Sequence, residues 1–178
     1  MINISRFIHV NVVCRDLEKS LEFYVDILGA NVHEIFSSAD SDLRDVMGVD
    51  ASGARGYRAA LIYWGESKRG PYIDLVQWVG QSTIESRPPL TAQDRGLVRV
   101  ALQVDDVDEV AKELKAKGIT PLGDVDEAPV GPWNLRLVLC EDPDGTLIEF
   151  VTFPRGETRA TNTSKLSRSD LAVLSAKS

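Results

Sequence analysis

A chain of 178 residues, 43% hydrophobic and 26% charged, buries roughly 70% of the surface its extended form would expose, which excludes a disordered, low-complexity or collagen-like protein. Its 20 basic and 27 acidic residues leave a net charge of −7, so neither nucleic acid nor an anionic membrane surface is an expected partner. No apolar run approaches the roughly 18 residues of a membrane span, and no charged start with an apolar stretch opens the chain, so a cytoplasmic protein that binds a small molecule is the expectation.

The run from Phe7 to Cys14 is apolar and β-branched, broken only by His9 and Asn11, and predicts a strand. Asp16 then opens a helix whose apolar residues Leu17, Leu21, Tyr24 and Leu28 recur at spacings of four, three and four and draw one face. Asp16 suits the N-cap, and Gly29 suits the position after the last turn, where the left-handed conformation carries no Cβ penalty. Three strands follow at Ala30 to Phe36, Tyr57 to Trp64 and Tyr72 to Trp78, with a polar stretch Ser37 to Ser52 and a turn at Ser67 to Pro71 between them. That polar stretch is where a mobile lid is expected.

The same order then recurs. Leu97 to Gln103 predicts a strand, and Asp106 and Glu109 form a capping box before the stripe Val107, Val110, Ala111 and Leu114, which Gly118 ends. Strands are expected at Ile119 to Val125, Leu135 to Cys140 and Thr146 to Phe153, with a break at Pro129 to Pro132 and a turn at Asp142-Pro143-Asp144-Gly145. The chain therefore reads as α+β, two β-α-β-β-β modules at 5–79 and 95–155 joined by a linker at 80–94. A polar extension at 156–178 holds a short helix signal in Leu166, Leu171, Ala172 and Leu174. Cys14 and Cys140 lie in apolar runs without metal or redox spacing and are expected to be reduced core residues.

Alternate strand residues share a face, which sets His9, Asn11 and Val13 together. His9 and Arg99 each stand seven residues before a cap aspartate, so Arg99, Ala101 and Gln103 occupy the matching face of the second module. The last strands of the halves align as well, YIDLVQW with TLIEFVTF, and put Asp74 opposite Glu149. Ionisable groups set among apolar neighbours are costly to bury unpaired, so these four are expected to meet.

The segments HVNVVCRDLEKSLEFYVDILG, VALQVDDVDEVAKELKAKG and DPDGTLIEF resemble the vicinal oxygen chelate superfamily, also known as the glyoxalase, bleomycin-resistance and dioxygenase fold. Over residues 5–155 the resemblance implies paired modules whose curved mixed sheets enclose a central cavity, usually in a homodimer. In metal-dependent members, residues of the first and last strand of each module hold a divalent ion, which carries over to His9, Asp74, Arg99 and Glu149. Arg99 departs from that pattern because a guanidinium has no lone pair to give. With only two histidines, His9 and His33, in the chain, neither the two-histidine iron set of a ring-cleaving dioxygenase nor the usual metal set of glyoxalase I is complete. His9, Asp74 and Glu149 are left to hold one divalent ion, against several kcal/mol of repulsion from a guanidinium roughly 5 Å away at an effective dielectric of about 20. Without metal, Arg99 and a protonated His9 balance the two acids. Arg99 then polarises a carbonyl or grips a carboxylate, and His9 or Glu149 is the general base.

The reaction class this favours is proton abstraction next to a carbonyl on a small oxygenated metabolite, as in a lyase or isomerase. The alternative is a binding protein of the same fold that sequesters a drug or metabolite. Structural readings stand beside these. Asp74 and Arg99 suit a buried ion pair, Glu149 suits a bond to the preceding turn, and Trp64, Trp78, Trp133, Tyr63 and Tyr72 suit either a core or the wall of an apolar ligand cavity.

Overall fold

The structure is a computed structural model that describes residues 2–39, 55–66, 70–80, 91, 93–130 and 133–153. The expected lid beyond residue 39, most of the linker, part of the turn at 67–71 and the helix signal of the extension lie outside the described residues.

In chain order the elements are β1 (His9–Val13), α1 (Leu17–Leu21), β2 (Asn31–Ser37), β3 (Gly56–Tyr63), β4 (Tyr72–Val79), β5 (Arg99–Gln103), α2 (Val107–Ala116), β6 (Asp126–Val130), β7 (Trp133–Glu141) and β8 (Leu147–Thr152). They form two four-stranded mixed sheets of identical order, β1-β4-β3-β2 and β5-β8-β7-β6. In each, the first strand runs parallel to the last through the helix, and the remaining pairs are antiparallel. The α+β duplication expected from the sequence is the architecture found.

The duplication extends to dihedral angles. Asp16 and Asp106 cap their helices at φ −141° and −143°, each side chain accepting from the backbone N–H two and three residues on. Gly29 and Gly118 follow the helices at φ +70° and +79°, the left-handed geometry predicted for both. Two details differ from expectation. The first helix continues from α1 as a π-helical segment, Glu22–Ile27, and the wider winding buries Phe23 together with Tyr24. The capping box of the second helix is half made, because the Glu109 carboxylate pairs with Lys112 at 2.6 Å.

The sixth strand corrects the sequence reading, since Ile119 to Val125 is turn and irregular backbone and the strand runs through the expected break at Pro129. β6 is the outer strand of its sheet, where proline's missing N–H interrupts no ladder.

One apolar cluster spans both modules. Val12, Ile62, Ile73 and Leu75 of the first sheet and Val138, Ile148 and Phe150 of the second pack with Leu17, Phe23 and Tyr24 and with Val107, Ala111 and Leu114 of the helices. At about 1.5 to 3 kcal/mol for each large apolar side chain removed from water, this shared core joins the two halves. Two polar ties reinforce the seam. The Tyr24 hydroxyl donates to Asp142 Oδ2 at 2.9 Å, and Arg15 Nε donates to Asp144 Oδ1 at 2.7 Å. Cys14 and Cys140 are free thiols buried in this cluster, as expected. Among the described residues no helix is long and apolar enough to cross a membrane.

Candidate functional site

Because β4 and β8 send alternate residues to opposite faces, Ile73 and Leu75, like Ile148 and Phe150, face the helices and the core. Asp74 and Glu149 are thereby turned to the other side of their sheets. Each is 8% exposed. Their registers match, with Asp74 beside Asn11 on β1 and Glu149 beside Ala101 on β5. The two acids therefore sit at equivalent points of the two modules, as the sequence alignment requires.

Their partners differ. Glu149 Oε2 lies 2.6 Å from Arg99 Nε, in an ion pair whose arginine side chain is 46% exposed. Of the structural readings, an ion pair of Arg99 with Asp74 is not the one formed. Parallel register puts Arg99 two residues from Ala101, on the face that Glu149 shares, within reach of its side chain. Nor does Glu149 bond to the preceding turn. That role falls to Asp142, whose Oδ1 accepts from the N–H groups of Asp144 and Thr146 at 2.9 and 2.7 Å.

Among the described residues Asp74 has no such cation bound to it. Its Oδ1 is buried without a hydrogen-bond partner among the described residues. Burial pushes its carboxyl above the usual range, partly offset by the positive field of His9. His9 itself is exposed. The four expected residues thus act as two pairs, Arg99 with Glu149 in direct contact and His9 on Asp74 through its field, each joining a first strand to a last.

These pairs bear on metal. Among the described residues no three His, Cys, Asp or Glu side chains are gathered to hold an ion. His9, Asp74 and Glu149 do not form one donor set, and Arg99 engages the glutamate that would complete it. As the described residues stand, the ion pair with Arg99 occupies a carboxylate oxygen that a divalent ion would need.

A cleft of about 220 Å³ opens where β1 approaches β5, walled by Asn11, Val13, Leu97, Arg99, Asp144 and Thr146. It brings Arg99 to the neighbour of Asp74 in register, Asn11. Beyond it, the same face of the first sheet carries aromatic side chains. His33 stacks on Tyr72 with ring centres 5.1 Å apart and meets Tyr63 edge-on at 6.3 Å, and Tyr57 packs between Phe36 and Trp78. Trp64 belongs to the core side, where its indole N–H donates to the carbonyl of Leu28 at 2.9 Å.

Sequence reasoning gave His33 no place in the site. The register shift between Val32 and Glu34 breaks strand alternation and places the imidazole against Tyr72. No local composition signals that bulge. Asn11 was legible as an inward polar residue but carried no chemistry of its own.

The comparisons with known proteins agree with this architecture. The chain is 24% identical over 151 residues to a probable lactoylglutathione lyase of Vibrio parahaemolyticus, covering 83% of this chain and 90% of that one. It is 28% identical over 152 residues to a 2-epi-5-epi-valiolone epimerase from Actinomyces, covering 83% and 79%. It is 26% identical over 154 residues to the mitochondrial methylmalonyl-CoA epimerase of Mus musculus, covering 83% and 72%. Among solved structures, a glyoxalase family protein from Bacillus cereus superposes with a TM-score of 0.69 at 20% identity, over 85% of this chain and 95% of that one, a likeness of fold. The family model matching residues 6–150 is that of the Glyoxalase/Bleomycin resistance protein/Dioxygenase superfamily, and the chain belongs to that superfamily.

Proposed function

We propose that this protein is a lyase or isomerase that removes a proton next to a carbonyl group of a small oxygenated metabolite. The observation that carries the reading is Asp74, a buried carboxylate with an unpartnered oxygen and a pKa raised by burial, set on a face that also carries His9. A carboxylate moved toward working pH is a better proton acceptor than an exposed one. This assigns the base to Asp74 in place of the His9 or Glu149 expected from sequence. His9 is exposed, and Glu149 is held by Arg99.

In this reading the C–H proton passes to Asp74 and the electron pair moves into the carbonyl as an enolate. The fixed charge of Arg99 offsets the developing negative charge, and Glu149 holds the guanidinium in place. His9, at the solvent side, exchanges the proton with water. Return of a proton to the opposite face gives an epimer, return to a neighbouring carbon gives an isomer, and departure of a β-substituent gives elimination. Relatives named as a lyase and as epimerases support this class of chemistry.

The test is solvent deuterium uptake into a panel of small oxo compounds. Wild-type protein is expected to catalyse uptake, and Asp74→Asn to reduce it by about 10² or more, in the range for losing a positioned base. Equal rates in wild type and variant overturn the reading. A ligand that binds tightly and is recovered without deuterium identifies a sequestering protein instead.

A further inference from the structure

The cleft between β1 and β5 gathers Arg99, whose charge the proton-transfer reading uses, with Asn11 and Thr146, to which that reading gives no role. Arg99 reaches Glu149 through Nε, the inner nitrogen of the guanidinium. Its terminal nitrogens carry the planar fork that takes a carboxylate in bidentate fashion. Asn11 and Thr146 line the same cleft, adding an amide N–H₂ and a hydroxyl as donors. The one acid in the cleft wall, Asp144, is already engaged by the Arg15 guanidinium at 2.7 Å, so its charge is largely met before a ligand arrives. Leu97 and Val13, both substantially exposed, supply apolar walls to the same space.

We propose that this cleft is a carboxylate subsite and that the substrate is a short-chain oxo acid, its carboxylate on Arg99, Asn11 and Thr146 and its acidic C–H toward Asp74. The size agrees, since 220 Å³ lies below the roughly 300 to 1,000 Å³ of pockets that take drug-sized ligands. Direction comes from the register, because Asn11 is the β1 neighbour of Asp74. An acid seated on Asn11 points its chain along the face that carries the base. The carboxylate class is inferred from the cleft itself; the orientation toward Asp74 rests on the proton-abstraction reading above.

Glu149 competes with an incoming carboxylate for Arg99. Removing its charge while keeping its shape is therefore expected to tighten binding, whereas removing the guanidinium abolishes it. Binding is measured by calorimetric titration of the full chain with pyruvate and malonate as probes and 2,3-butanedione as the uncharged control. The expected results are saturable binding of the acids and none of the diketone, affinity at least 10-fold weaker in Arg99→Gln, and affinity several-fold tighter in Glu149→Gln. Should Arg99→Gln fail to fold because Glu149 is left buried and unpaired, the double variant Arg99→Gln/Glu149→Gln removes both charges and is expected to bind neither acid.

Equal binding of the diketone, or acid affinity unchanged on loss of Arg99, overturns the proposal. Deuterium uptake at C3 of bound pyruvate separates it from the reading it builds on. Arg99-dependent binding without exchange keeps the carboxylate subsite and removes the proton-transfer chemistry, while exchange into the diketone with no acid binding does the reverse.

Discussion

The hydroxyl of Tyr24 in the first helix donates at 2.9 Å to Oδ2 of Asp142, 118 residues away in the turn that launches β8. This buried bond ties the first module to the strand carrying Glu149. Burial and the neighbouring Asp142 carboxylate keep the phenol protonated well above its usual range, so it acts only as a donor. Tyr24→Phe keeps the ring and removes the donor, leaving a buried carboxylate oxygen short of a partner. The expected cost is about 1 to 3 kcal/mol, read as a lower urea midpoint at unchanged slope. An unaltered midpoint would show that the tie contributes nothing.

Asp74 is expected to weaken the fold while serving the site. Burial raises its folded-state pKa above the ordinary 3.8, so its charged form is held at a cost once pH exceeds the raised value. That cost is relieved as pH falls through it and is absent below the ordinary value. Asp74→Asn should therefore be more stable than wild type at neutral pH. The advantage should shrink as the medium is acidified. Thermal melts of both proteins between pH 7 and pH 4 check this, and a destabilised Asp74→Asn at neutral pH would contradict it.

The two thiols provide a chemical probe of the shared core. Burial pushes Cys14 and Cys140 up from 9.0 to about 11, and both are fully shielded from water. Thiolate is the reactive species, so native protein at pH 8 is expected to resist a disulfide reagent such as DTNB for many minutes. In denaturant both cysteines should titrate at once. Rapid reaction of the native protein would place the seam between the modules open to solvent.

Gly29 tests the helix stop. At φ +70° with open space where a Cβ would project, Gly29→Ala meets no steric neighbour and suffers only the backbone cost of the left-handed conformation. The expected loss is about 1 kcal/mol, seen as a lower melting temperature with deuterium exchange rates intact. Gly29→Asn, which tolerates that conformation better, should recover part of it.

Much of this was written locally in the chain. The Asp16 and Asp106 caps, the Gly29 and Gly118 stops and the apolar stripes between them depend on side chains a few residues apart, so periodicity alone was enough to read the duplicated α+β modules. Register against the caps was likewise enough to match His9 with Arg99, and alignment of the last strands to match Asp74 with Glu149. The outer strand at Asp126–Val130 was misread because a proline at a sheet edge costs nothing, and edges are assigned only by neighbours.

Which ion pairs form was a tertiary decision. Arg99 sits on β5, whose register with β8 brings it to Glu149, while Asp74 lies in the other sheet with only the field of His9 to offset its burial. The bulge that swings His33 onto Tyr72 and the approach of β1 to β5 that opens a cleft at Arg99 also arise from strand packing. Residue types and their spacing specify what each strand can present. Only the pairing of strands far apart in the chain decides which charges are neutralised, like Glu149 by Arg99, and which carboxylate oxygen, like that of Asp74, is buried without a partner among the described residues.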